Sequence, residues 1–184
     1  VRPSPDRFVL APSFEALFAR GVGEQMTPGL REELRRVGVD LDRPLLPAYP
    51  LDTWMATLHV VARALHPDLP MGEAQRRIAA SVVAGWEHTL VGKAMTTFAR
   101  LLGPRQLLLR FGTLARASNT YGEMTVRELG PGHFELVLDP YVGWAEYAQG
   151  TFSAVLAVTG APGARVDVVR HEPDAERLVL HVRW

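Results

Sequence analysis

Histidine is the side chain that most readily exchanges protons or holds a metal near neutral pH, and this sequence carries six. His59 and His66 stand about two helical turns apart, too far to share one metal ion unaided. His66 precedes Pro67 at a predicted helix end, where a protonated imidazole would complement the helix dipole. His133 falls at a hairpin turn. His171 and His181 fall on strands, on the face expected to meet solvent. His88 stands apart, because Trp86-Glu87-His88-Thr89 lies in the most apolar helical stretch. It is either a hydrogen-bonded interior histidine or a ligand.

Other chemistry is harder to find. There is no G-x-S-x-G, no phosphate-binding loop, no H-E-x-x-H and no Rossmann glycine pattern after a strand. Asp40 and Asp42 read as capping or turn residues, and Ser81, Ser118 and Ser153 have no neighbouring signature. The absence of cysteine removes thiolate zinc sites, disulfides and cysteine nucleophiles together. No catalytic residue and no metal ligand is assigned.

Binding groups are more plentiful. Trp86, Phe98 and Phe111 come from helices, while Tyr121, Tyr141, Trp144 and Tyr147 come from the sheet-forming half. If helices cover the sheet these rings converge, as core packing or as a ligand cage. Trp86, His88, Phe111, Tyr121 and Tyr147 are the candidate wall residues. Arg110, Arg116 and Asn119 end a helix just before the first strand. They either bind a carboxylate or phosphate or satisfy helix-end carbonyls.

The elements that must position these groups follow from periodicity. Alternation predicts strands over 121–129, 134–139, 164–170 and 177–184, with a helix over 145–159 between the two pairs. Met124, Val126, Phe134, Leu136, Leu138, Leu178, Leu180, Val182 and Trp184 mark the buried faces. The class is α+β, with residues 1–118 mainly helical and 119–184 running β-β-α-β-β as a four-stranded, mainly antiparallel sheet under helices. Ahead of it, residues 2–12 read as an extended arm. Ser13 is expected to cap a helix to Arg20 that stops at Gly21, and Thr27-Pro28 to open a helix ended by Gly38. Residues 40–50 form an ordered, proline-rich connection. Asp52 is expected to cap a helix to Leu65 that buries Trp54, Leu58 and Val61. Residues 71–102 are helical with a break near 89–92, and a further helix spans 105–117 after Gly103-Pro104.

Composition sets the outer limits. A chain of 184 residues, 47% hydrophobic, suits a single domain with a sizeable core and no staples. Formal charge is +0, which argues against broad attachment to nucleic acid. No run approaches the about 18 apolar residues of a membrane span. Residues 1–6 hold no signal-peptide block, and the missing initiator Met suggests trimming. A cytoplasmic location is expected. Of twenty Lys and Arg residues only Lys93 is a lysine, a bias of GC-rich coding.

Several runs carry a resemblance. LDRPLLPAYPLDTW, EHTLVGKAMTTFARLLGPR, ASNTYGE and the closing VRW together resemble a myxobacterial paralogous family known as a domain of unknown function. The likeness spans about Phe14 to Trp184. The C-terminal element order, with Gly150-Thr151-Phe152-Ser153-Ala154-Val155-Leu156 as a glycine-led crossover helix, is also similar to a wider superfamily. That group joins haem-binding nitric-oxide and oxygen sensors, 4-vinyl reductase domains and vesicle-tethering subunits of the transport protein particle. It implies a helical half packed on a four-stranded antiparallel sheet. The haem sensors use a helical proximal histidine and a Tyr-x-Ser-x-Arg motif. Here residues 105–117 hold no histidine, and Tyr141-Val142-Gly143-Trp144-Ala145 lacks the Ser and Arg. Haem is therefore not expected, although His88 remains as an unorthodox axial ligand. The cysteine-rich zinc site of the reductase type is excluded.

Two readings result. The first is a non-catalytic, regulatory sensor with an apolar pocket between helices and sheet, no cofactor, and an apolar or lipid-like small molecule as ligand. Gly85, Gly92, Gly112 and Gly150 would leave it room, and Arg110, Arg116 or Asn119 would hold its polar end. The second is a homodimer or protein-partner scaffold of the tethering-subunit type, using exposed leucines around Leu101-Leu102 and Leu107-Leu109.

Overall fold

The computed structural model describes residues 6–18, 22–116 and 118–184. The N-terminal arm is strand β1 (Phe8–Leu10), antiparallel to β2 (Ala48–Pro50) at the end of the proline-rich connection. Helix α1 (Ala11–Ala16) follows with no intervening turn. Ser13 is therefore not its cap. Leu10 has extended backbone angles and enters the helix directly, with Pro12 in the first turn. Ser13 is buried and donates its hydroxyl to the Ser118 carbonyl at 3.5 Å. Arg20 and Gly21 lie outside the described residues.

Helix α2 (Pro28–Arg36) is capped as its sequence signals, with Thr27 Oγ1 accepting from the Leu30 amide at 3.1 Å. Leu30 and Leu34 are buried, and Gly38 at φ 94° follows the end of the helix. Asp40 makes the expected turn by accepting from the Asp42 amide at 3.0 Å. Helix α3 (Leu51–Leu65) starts two residues earlier than a cap at Asp52 would have it. Pro50 precedes it in extended conformation, so Asp52 sits inside the first turn and acts through the dipole. Trp54, Leu58 and Val61 are buried as expected.

The long helical stretch breaks about two residues ahead of the expected 89–92. Helix α4 (Met71–Trp86) gives way to a turn at 87–89, and α5 (Leu90–Ala115) begins with Thr89 Oγ1 accepting from the Gly92 amide at 2.9 Å. Within α5, Gly103 at φ 70° and ψ 170° with Pro104 makes a second break.

The C-terminal half is the expected sheet. Strands β3 (Met124–Gly130), β4 (His133–Leu138), β5 (Arg165–Glu172) and β6 (Arg177–Arg183) lie in the order β3-β4-β6-β5, all neighbours antiparallel. Helix α6 (Ala145–Val158) crosses between β4 and β5. The central register pairs Phe134 with Val182, Leu136 with Leu180 and Leu138 with Leu178, which keeps one face apolar. Trp184 departs from its expected burial. It lies one residue past β6, 41% exposed, with its ring stacked on Phe134 at 5.1 Å.

Two buried clusters result. Phe14, Leu17, Leu34, Leu58 and Ile78 centre the helical one; Phe134, Leu136, Leu156, Leu178 and Leu180 centre the sheet one. Helix α4 joins them by close backbone approach. A Cβ on Gly85 would overlap the Ala16 carbonyl, and one on Gly150 would overlap that of Arg76. These two glycines seat helices against each other rather than making room for a ligand. Among the described residues no helix is long and apolar enough to cross a membrane.

Candidate functional site

A cavity of about 300 Å³ lies between the two clusters. Val82, Val83 and Trp86 of α4 and Gly92, Ala99, Leu107 and Phe111 of α5 form one side. Tyr147, Ala148, Thr151, Phe152 and Val155 of α6 form another, with Met124 and Leu138 from the sheet and residues 118–123 closing an end. Helical spacing explains the set: Leu107, Phe111 and Ala115 recur every four residues, as do Tyr147, Thr151 and Val155. Where α5 meets α6 at the wall of the cavity, Phe111 packs on Phe152 with ring centroids 5.0 Å apart.

Of the residues singled out by sequence, Trp86, Phe111, Asn119, Tyr121 and Tyr147 line this space, and His88, Arg110 and Arg116 do not. His88 is exposed in the turn after α4, neither inside a helix nor in the interior. Arg110 and Arg116 are exposed, off the Leu107–Phe111 face. Asn119 is occupied structurally. Its Oδ1 accepts from the amides of Tyr121 at 3.2 Å and Gly122 at 2.8 Å, and its Nδ2 donates to the Ala115 carbonyl at 3.5 Å. It therefore caps the end of α5. Trp54 and Met124 also line the cavity, and only the tertiary fold brings them there. The run Tyr147, Thr151, Val155 was readable from spacing alone.

Burial sets the electrostatics. The Tyr121 phenol is pushed up to about 12 by burial, with Arg7 pulling the other way. Burial, then Tyr121, raises Tyr147; burial, then Tyr147 and Tyr121, raises Tyr141. All three stay protonated at neutral pH. Tyr141 donates to the Trp144 carbonyl at 2.6 Å. Glu87, on the lining, is paired with Arg100 at 2.5 Å. A second space of about 60 Å³ adjoins Trp54, Tyr121, Tyr141 and Tyr147 from the side of Met55, Val142 and Trp144.

The remaining histidines lie elsewhere. His66 is shifted down by burial, with Arg77 adding to it, so it is neutral near pH 7 rather than the protonated cap expected. His181 is not solvated. It is half-buried, with Nδ1 at 3.4 Å from His133 Nε2 and Nε2 at 3.5 Å from Glu135. Among the described residues no group of three or more His, Cys, Asp or Glu could hold a metal ion. Of the leucines considered for an interface, Leu101 is 82% exposed and Leu109 is exposed, whereas Leu107 and Leu108 are buried.

The chain belongs to the family described as protein of unknown function (DUF2378), whose model matches residues 7–184. No curated protein matches it. Solved structures show the fold. One described as "Modulating Heme Redox Potential Through Protein-Induced Porphyrin Distortion" is 12% identical, with TM-score 0.69, covering 95% of this chain and 99% of that one. An H-NOX protein from S. oneidensis in the Fe(II)NO ligation state is 12% identical, with TM-score 0.67, covering 95% and 98%. An oxygen-binding H-NOX domain related to soluble guanylate cyclases is 12% identical, with TM-score 0.65, covering 94% and 91%. The fold expected from the resemblance to the haem sensors is thus the fold observed.

These neighbours correct one expectation. The chain was expected to take no cofactor and no haem, yet its fold is shared with proteins described by their heme and Fe(II) states. The lining can be set against that group. None of the six histidines lines the cavity, there is no cysteine, and no Lys or Arg lines it among the described residues. The Tyr121, Tyr141 and Tyr147 phenols and the Met124 thioether are the side chains of iron-ligating type there. Burial holds all three phenols protonated, which opposes a tyrosinate ligand. The described lining does not fit a histidine-held haem.

Proposed function

We propose that this chain is a sensory, small-molecule-binding module and that its ligand occupies the cavity between the helical half and the sheet. Residues 1–184 act as one domain in this reading, because both hydrophobic clusters contribute walls to the same space. The observation that carries it is the cavity itself. It is a partly open pocket whose wall is mainly apolar, unlike the close-packed interior on either side of it. An apolar space of about 300 Å³ is at the lower end of small-molecule sites and is far more than packing error leaves. The sensory part rests on likeness to the H-NOX fold, and a regulatory role follows if the ligand shifts how the two halves pack.

Organic extraction of the purified chain with mass spectrometry, together with its visible absorption spectrum, tests the reading. A molecule retained in stoichiometric amount, porphyrin or otherwise, and lost in Val155→Phe, which fills the cavity from α6, is the expected result. Retention that is unchanged in Val155→Phe would place the ligand elsewhere and sink the proposal.

A further inference from the structure

The geometry points to a ligand class: a neutral, mainly apolar molecule bearing one hydrogen-bond acceptor, held by the hydroxyls of Tyr121 and Tyr147. This rests on the cavity being a ligand site. Of the other hydroxyls in the lining, all but that of Thr96 on α5 already have an acceptor among the described residues. Tyr141 donates to the Trp144 carbonyl at 2.6 Å, Thr151 to that of Tyr147 at 2.9 Å, and Thr159 to that of Val155 at 3.0 Å. Tyr121 and Tyr147 donate to no described residue. Neither oxygen is sealed in protein either, since Gln75 Oε1 is the sealed side-chain atom without a partner among the described residues. Both phenols therefore open onto free space, and the space they border is the cavity and its smaller neighbour.

A phenol that faces a mainly apolar wall has at most water as its acceptor, so a site that presents two of them gains when a ligand brings an acceptor within reach. The electrostatics narrow the class. No cationic side chain lines the cavity among the described residues, so a carboxylate or phosphate buried there would lose its hydration without a counter-charge. Of the two lining carboxylates, Glu87 is paired with Arg100 and Glu123 is exposed to solvent, so neither offers a buried counter-charge to a cation. The phenols remain protonated, so they serve as donors. The rest of the wall, with Phe111, Phe152 and Val155, suits an apolar body.

Three probes of one shape test this by titration calorimetry on the full chain: 2-acetylnaphthalene, 2-ethylnaphthalene and 2-naphthoate. The ketone should bind about tenfold more tightly than the hydrocarbon, equal to about 1.4 kcal/mol, and the anion should bind weakest. Tyr121→Phe and Tyr147→Phe should each reduce that ratio by weakening the ketone more than the hydrocarbon. Tyr141→Phe should leave the ratio alone. Equal binding of ketone and hydrocarbon to the unmodified chain overturns the inference while leaving the cavity reading in place, and this needs no variant to fold. Failure of all three probes to bind overturns the cavity reading and the inference with it.

Discussion

Replacing Phe111 and Phe134 by alanine, one at a time, separates a hollow wall from a solid core. Phe134 is fully buried in the sheet cluster, packed on all sides and stacked on Trp184. Its truncation loses the whole transfer term and leaves a void, for a cost of about 4 kcal/mol. Phe111 packs on Phe152 at 5.0 Å but turns part of its ring to the cavity. On that side there are no contacts to lose, and the added void merges with one that already exists. Its truncation should cost about 2 kcal/mol, near half the Phe134 value. Urea unfolding reads both, provided the slope with denaturant is unchanged. In a chain of this length the two variants should differ in melting temperature by about 4–8 °C. Equal losses at the two positions would mean Phe111 is packed as tightly as Phe134, and the reasoning from a hollow interior would be refuted.

Gly85→Ala should destabilise by about 2–3 kcal/mol despite a helix-propensity gain near 1, because its Cβ meets the Ala16 carbonyl. Gly72→Ala meets only the end of the flexible Glu146 side chain and should be neutral or stabilising in the same thermal melts. Thr89→Ala removes the acceptor for the Gly92 amide and should cost about 1 kcal/mol by urea unfolding. The Arg7 guanidinium, chiefly through its 2.6 Å hydrogen bond, holds the Glu176 carboxyl below the ordinary glutamate range. A carboxyl with a depressed folded pKa adds stability above its unfolded pKa, and that stability is lost as pH falls through the folded value. Glu176→Gln should therefore melt lower than the parent at neutral pH. The gap should close in acid, and a gap independent of pH would contradict the assignment.

Much of the sheet half was legible because period-two alternation and the turns at Gly130-Pro131-Gly132 and Glu172-Pro173-Asp174 leave few registers that bury one face. The helix starts were less so. Ser13 and Asp52 are good capping residues, but the chain enters both helices from short strands whose last residues, Leu10 and Pro50, already have extended angles. Part of the cavity wall was legible by residue type, through Trp86, Phe111, Tyr121 and Tyr147. His88 was misplaced because α4 ends at Trp86, two residues earlier than the apolar run suggests. Arg110 was misplaced because one residue along a helix turns the side chain by about 100°. Trp54 and Met124 could not be read locally, since contacts across the whole fold bring them to the wall. Absence of the haem-sensor motif in Tyr141-Val142-Gly143-Trp144-Ala145 was visible, yet it bears on the ligand and not on the fold, where the likeness is strong.

Xenon is the most direct probe of whether ligand-sized space exists, because apolar cavities of even about 150 Å³ take it up. Crystals of the chain under xenon pressure should show bound gas, or a resident molecule in its place, between Phe111, Phe152 and Val155. A map with neither, and with side chains closed across that region, would contradict a ligand site between the helices and the sheet.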